Sequence, residues 1–241
     1  MQDAHTRDIM KGYIFDFGGT IDTSGCHWGR LLWHAYQRNG LPITEQDFRE
    51  AYVYAERTLG KNPIIQTGYD FRRTIDIKLR IEMEYLIRNG HWNCTAAEGY
   101  AMHDRILDDV YAFVTNTIAD NKKVLEKIAE TYPMALVSNF YGNMNIVLKE
   151  FGINHLFKSV VESAVIGIRK PDERIFKIGV EALGLQPEEV TVVGDSYRKD
   201  ILPSHNIGCK TVWIKGEEWT NEEIVHPVAD RIISKLNELI L

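Results

Sequence analysis

Four polar positions in this sequence stand at the ends of apolar runs or at the start of a helical stretch, in the order carboxylate, hydroxyl, ammonium, carboxylate. Asp16 follows Tyr13-Ile14-Phe15, and Ser138 with Asn139 follows Met134-Ala135-Leu136-Val137. Lys170 lies in Gly167-Ile168-Arg169-Lys170-Pro171 just before a helical stretch, and Asp195 with Ser196 closes Val190-Thr191-Val192-Val193-Gly194. Taken singly, each is a residue type that turns and helix caps use for their own hydrogen bonds. Four arriving together suit a different task. Two carboxylates can face a divalent cation, and magnesium takes hard oxygen ligands while keeping substrate phosphate in its shell. A lysine and a serine suit the phosphate itself.

The elements that must position them are legible as two textures. A short apolar run at 11–17 ends at Gly18-Gly19, which predicts a buried strand leaving through a turn. From about 120 onward, apolar runs at Met134–Val137, Ser159–Val161, Val190–Val193 and Thr211–Ile214 alternate with helical stretches near 121–131, 143–151, 172–183 and 198–206. Asp172 and Asn121 are cap candidates, and Gly152 and Gly184 are stop candidates. Such alternation predicts an α/β fold with a Rossmann-like parallel sheet covered on both faces. On such a sheet the four polar sites meet at the carboxyl ends of the strands. Residues 23–116 instead carry aromatic and charged residues at helical spacing without a strand pattern, and more than 110 residues separate the first two strands. That exceeds an ordinary crossover, so an all-helical domain inserted after the first strand is expected.

These motifs closely resemble those of the haloacid dehalogenase superfamily, most of whose members are phosphatases. Phe15-Asp16-Phe17-Gly18-Gly19-Thr20 is similar to the first motif, and Leu136-Val137-Ser138-Asn139 to the second. Arg169-Lys170-Pro171-Asp172 with Ile175-Phe176 resembles the third, and Val193-Gly194-Asp195-Ser196 with Asp200 the fourth. The resemblance implies a core domain at 1–22 and 117–241 and a helical C1 cap at 23–116. Only 30 residues separate Asn139 from Lys170, too few for the other cap type. It implies Asp16 as a nucleophile forming an aspartyl-phosphate, Ser138 binding phosphoryl oxygens and Lys170 offsetting charge. Magnesium would be held by Asp16, the Gly18 carbonyl, Asp195 and Asp200. Asn139, Gly19 and Thr20 join the substrate contacts, with His27 and Lys61 as candidates from the helical insert. Arg72, Arg73, Trp28, Tyr69 and Phe71 are weaker candidates there.

Position 18 departs from the pattern. The superfamily's phosphatases carry there a second aspartate that protonates the leaving group; here it is glycine. General acid–base catalysis contributes about 10²–10⁴-fold, less than a phosphatase's whole acceleration, so the remaining groups can still support turnover. His27, just past the turn, is a candidate replacement base. Other readings stay open: dehalogenase-like chemistry, a carbon–phosphorus hydrolase using a cap lysine (Lys61 first) as an imine-forming amine, or a non-catalytic phosphate-binding protein.

Bulk properties narrow the classes further. A chain with 44% hydrophobic and 26% charged residues is globular rather than disordered. A net charge of −6 without a basic stripe argues against nucleic acid. Cys26, Cys94 and Cys209 are too sparse for a disulfide framework, and neither a signal peptide nor a membrane span is evident. A cytoplasmic enzyme of phosphorylated small molecules, monomeric or homodimeric, is the expectation. No P-loop, zinc-ligand spacing or serine elbow competes with it.

Overall fold

The computed structural model describes residues 10–220 and 223–240. Its described strands form one parallel sheet in the order β3-β2-β1-β4-β5-β6. They are β1 (Gly12–Phe15), β2 (Met134–Ser138), β3 (Ser159–Glu162), β4 (Val190–Gly194), β5 (Lys210–Ile214) and β6 (Arg231–Ile233). Between β1 and β2 lie the helices α1 (Trp28–Arg38), α2 (Glu45–Lys61), α3 (Phe71–Arg88) and α4 (Ala96–Ala129). Later strands are joined through α5 (Met144–Glu150), α6 (Ser163–Ile166), α7 (Arg174–Leu183) and α8 (Leu202–Asn206). The chain order reverses between β1 and β4, the position at which open parallel sheets form a crevice for ligands.

β1 shows why the apolar runs are continuous. Successive strand residues point to opposite faces, so a strand covered on both sides is apolar throughout. Ile14 packs with Val137, Val161, Phe176 and Val192 on one face of the sheet. Tyr13 and Phe15 join Leu136, Val193, Val212 and the α4 residues Ile118, Leu125 and Ile128 on the other.

α4 is one unbroken helix of 34 residues, opened by a reciprocal cap between Thr95 and Glu98. Near its start His103 Nε2 lies 3.3 Å from the Asp76 carbonyl of α3, whereas its end packs under the sheet. The expected boundary at 116/117 therefore falls inside a helix rather than in a linker. Asn121, expected as a cap, sits buried mid-helix, where its Nδ2 donates to the Ile21 carbonyl at 2.8 Å and to Ser24 Oγ at 3.0 Å. The stretch expected as one helix at 198–206 is a π-type turn at Tyr197–Ile201 followed by α8. β6 carries no periodic signal because it is three residues long with an exposed start. No helix among the described residues is long and apolar enough to cross a membrane.

The insert contains one strained acid. Glu82 on α3 is wholly buried; Tyr36 donates its hydroxyl to Oε2 at 2.8 Å, and Oε1 has no partner. Burial pushes its pKa up to about 7, against the pull of Lys78 one turn earlier. The folded protein then binds more protons than the unfolded chain between the ordinary carboxylate range and about pH 7, so stability falls as pH rises across that window. The penalty at high pH is about 3 kcal/mol. Glu82→Gln is expected to abolish most of this loss, read as the change in unfolding free energy between about pH 5 and pH 8 in denaturant titrations.

Candidate active site

β1 delivers Asp16 to the switch point. Its Oδ1 accepts the Phe17 N–H at 2.7 Å and the Lys170 ammonium at 2.8 Å. The chain then turns tightly through Gly19, whose φ is +93°. A Cβ at Gly19 would stand 2.2 Å from Asp195 Oδ2, so this position requires glycine both for conformation and for space. Thr20 Oγ1 donates to Asp195 Oδ1 at 3.0 Å. Asp22, wholly buried, closes the loop by accepting from Gly19 N at 2.7 Å and Trp28 Nε1 at 2.9 Å. Burial pushes Asp22 up to about 7, against those two hydrogen bonds.

Lys170 Nζ also meets Asp200 Oδ1 at 2.6 Å and the Val137 carbonyl at 3.3 Å. The Ser196 N–H donates to the other Asp200 oxygen at 3.0 Å. One oxygen from each of Asp16, Asp195 and Asp200 lies within 4.8 Å of the others. Three carboxylates against one ammonium leave two negative charges that protons or a divalent cation must offset. Burial pushes Asp16 up to about 6 with Lys170 opposing, and burial together with Asp200 and Asp16 pushes Asp195 well up. Against burial, the Asp16 and Asp200 carboxylates raise Lys170 above its ordinary range, so it stays an ammonium.

Ser138, Gly18, Gly19 and Asn139 border the same cavity of about 330 Å³. Asn139 has both ends of its amide committed to the Lys170 backbone: its Oδ1 accepts from Lys170 N at 2.9 Å and its Nδ2 donates to Lys170 O at 3.1 Å. Its geometry is that of a group that positions Lys170. His27 also borders the cavity, capping α1 with Nδ1 accepting from Gly29 N at 3.0 Å and its ring stacked on Trp219. Burial pushes its pKa down to about 4, so it is neutral near pH 7.

Lys61 is not brought to the site. It ends α2, exposed, and does not border the cavity. Arg72 and Arg73 are also outside it, paired with Asp108 and Asp76, whereas Trp28 and Phe71 border it and Tyr69 does not. The lysine of the helical insert that does border the cavity is Lys78, bound to Glu56 at 2.5 Å, and Tyr52, Tyr141 and Trp219 border it as well. A signal for Lys78 exists in the sequence. Phe71, Ile75, Lys78, Glu82 and Leu86 follow helical spacing, so two charged residues occupy the buried stripe of α3. Trp219 has no comparable signal, because it lies in a loop that reaches the site only through the fold.

A family model described as haloacid dehalogenase-like hydrolase matches residues 13–214. The chain belongs to this hydrolase family. Glyceraldehyde 3-phosphate phosphatase of Methanothermobacter thermautotrophicus is 30% identical over 224 residues, covering 87% of each chain. The protein of the same name from Pyrococcus furiosus is 28% identical over 207 residues, 84% of this chain and 79% of that one. Among solved structures, a dehalogenase captured with an intermediate complex aligns with a TM-score of 0.62 at 17% identity over 96% of both chains. A predicted phosphoglycolate phosphatase from Haemophilus somnus aligns at 0.53 and 20% identity, again over 96% of both. At such identities the solved structures speak for the fold alone.

In this hydrolase-family chain, Gly19→Ala is expected to cost more than backbone strain alone. Gly40 has a similarly positive φ, +72°, but open space where a Cβ would go. Gly40→Ala should lower stability by about 1 kcal/mol and Gly19→Ala by about 2–3 kcal/mol, compared by denaturant unfolding.

Proposed function

We propose that this hydrolase is a magnesium-dependent phosphomonoesterase of small molecules, with Asp16 as nucleophile. The observation that carries this reading is the cluster of Asp16, Asp200 and the half-buried Asp195 with Lys170 between the first two, two negative charges in excess at the carboxyl edge of the sheet. Hard carboxylate oxygens at that spacing fit a magnesium ion, with the Gly18 carbonyl as a further ligand. When bound, the ion supplies charge neutralisation for the phosphoryl oxygens and the attacking carboxylate. The relatives named as phosphatases over most of this chain's length support the same substrate class.

Both partners of the Asp16 carboxylate use Oδ1, which leaves Oδ2 for in-line attack on phosphorus. A P–O bond to Asp16 forms as the ester P–O bond breaks; the leaving oxygen takes a proton, and water then releases phosphate and restores the carboxylate. Lys170 offsets charge on Asp16 throughout, and Ser138 hydrogen-bonds the transferring group. In this reading α1 to α3 with the first part of α4, residues 23–116, form a cap over the core at 1–22 and 117–241. It narrows solvent access to the reacting atoms.

His27 fits substrate binding better than proton transfer. Its lone-pair nitrogen is engaged by the α1 cap, so the remaining Nε2 carries the proton and donates a hydrogen bond without shuttling it. The leaving group is therefore protonated from solvent, which favours esters with good leaving groups. The imine reading loses support: Lys61 lies outside the cavity, and despite burial Glu56 holds Lys78 well above its ordinary pKa as an ammonium.

Phosphate release from an aryl phosphate and an alkyl phosphate, with and without magnesium, tests this reading. Chelation and Asp16→Asn should each reduce release to background; retained turnover in Asp16→Asn removes the nucleophile assignment. A Cβ at Gly18 meets only Trp28, at 3.8 Å, so Gly18→Asp is accommodated. It should raise alkyl phosphate turnover about 10²-fold and aryl phosphate turnover far less.

A further inference from the structure

We infer that the Lys78–Glu56 pair is the contact that reads the non-phosphate end of the substrate, selecting a neutral, hydroxyl-bearing group over one with a free carboxylate or ammonium. This rests on the phosphomonoesterase reading above and names the substrate class of that same cavity.

The pair is placed for the task. Both residues border the cavity that Asp16 opens into, Lys78 from α3 and Glu56 from α2. Lys78 Nζ touches Glu56 Oε1 at 2.5 Å, and the Tyr141 hydroxyl stands 3.5 Å from the same oxygen. Glu56 Oε2 has no protein partner among the described residues, and 35% of the Glu56 side chain remains exposed. The Lys78 side chain, by contrast, is 10% exposed, and its ammonium lies 4.5 Å from the Tyr52 ring centre. An open acceptor and a cation with spare N–H groups thus stand side by side against aromatic walls.

Charge decides what this pair accepts. Despite burial, Lys78 holds Glu56 below the usual carboxylate range, so both groups stay ionised and their sum is neutral. A carboxylate reaching Lys78 would lie beside Glu56, and an ammonium reaching Glu56 would lie beside Lys78. In either case attraction and repulsion nearly cancel while the cost of desolvating the incoming charge remains. A hydroxyl escapes this cost, because it donates to Glu56 Oε2 and accepts from Lys78 at once. The Lys78 ammonium stands 4.5 Å from the Tyr52 ring centre and 5.7 Å from that of Trp28, and both rings border the cavity, where they supply apolar surface for the carbon skeleton of the same group.

The test compares glycerol phosphate, phosphoglycerate, phosphoethanolamine and phosphoserine as substrates of the native chain and of the Glu56→Gln and Lys78→Met variants, with magnesium. Glycerol phosphate should exceed the others in kcat/KM by about tenfold or more in the native chain. Glu56→Gln leaves an unpaired cation and should shift the ratio toward phosphoglycerate by at least about tenfold; Lys78→Met leaves an unpaired anion and should shift it toward phosphoethanolamine. These opposite shifts cannot come from a fold defect. Preference of the native chain for phosphoserine, or a parallel loss on all four compounds in both variants, overturns the inference. Failure of the underlying reading looks different: acetyl phosphate, which carries no hydroxyl, free carboxylate or ammonium for the pair to read, would then show no Asp16-dependent hydrolysis. Calorimetric binding of the same four compounds still reads the preference in that case, and equal affinities overturn it.

Discussion

The buried ammonium of Lys170 is the constraint on which the site depends. It lies between Asp16 and Asp200, with both carboxylates and the ammonium nearly closed to solvent. A buried charge is tolerated only with close partners, and removing one partner of such a set typically costs about 3–5 kcal/mol. The neighbouring residues are arranged around this demand. Val137 adds a carbonyl to the ammonium, Asn139 clamps the Lys170 backbone from both sides, and the Ser196 N–H holds Asp200. Gly194 is bare because a Cβ there would stand 2.4 Å from the Asp200 Cβ. Three adjacent parallel strands, β2, β1 and β4, are needed to bring these groups to one edge.

The parts of this arrangement visible in the sequence are those in which local pattern and tertiary role coincide. A strand buried on two faces must be continuously apolar, so β1, β2, β4 and β5 could be read directly, along with the polar residue that ends three of them. What escaped was set by contacts distant along the chain. Asn121 has a capping side chain, yet its amide serves Ile21 and Ser24, about 100 positions away, so it sits inside a long helix. Lys61 stands beside a glycine and near a proline, which reads as a turn, but α2 continues through it and leaves it exposed. Lys78 is carried on the inward stripe of α3, where an apolar residue is the ordinary choice. Of the two charged exceptions in that stripe, Lys78 borders the cavity and Glu82 does not.

The helical insert is held to the sheet by the segment that follows β5 as well as by its own two connections. Gly25 and Gly216 approach so closely that a Cβ at Gly216 would lie 2.5 Å from the Gly25 carbonyl oxygen. Beyond this crossing, the Glu217 carbonyl accepts from His27 N at 2.9 Å and the Glu218 carbonyl from Arg30 Nε at 3.0 Å. Trp219 then packs between His27 and Tyr52 with the Arg49 guanidinium 4.1 Å over its ring. Gly29 has no room for a side chain, since a Cβ there would meet Trp219 at 2.3 Å. This strap sets one wall of the cavity from the core side, so the cavity's shape depends on both layers at once.

Position 18 belongs to the same coupling. The indole of Trp28, on the first helix of the insert, is the nearest group to where a side chain at Gly18 would begin. Its Nε1 is tied to Asp22, which in turn holds the Gly19 N–H and so the turn that faces Asp195. A side chain there would begin at ordinary contact distance from the indole, 3.8 Å from Nε1, so space at position 18 does not itself demand glycine. The demand for glycine falls instead on Gly19, where a Cβ would collide with the Asp195 carboxylate. The carboxylate missing from position 18 is therefore not excluded by how the insert is seated, and room for one remains beside Trp28.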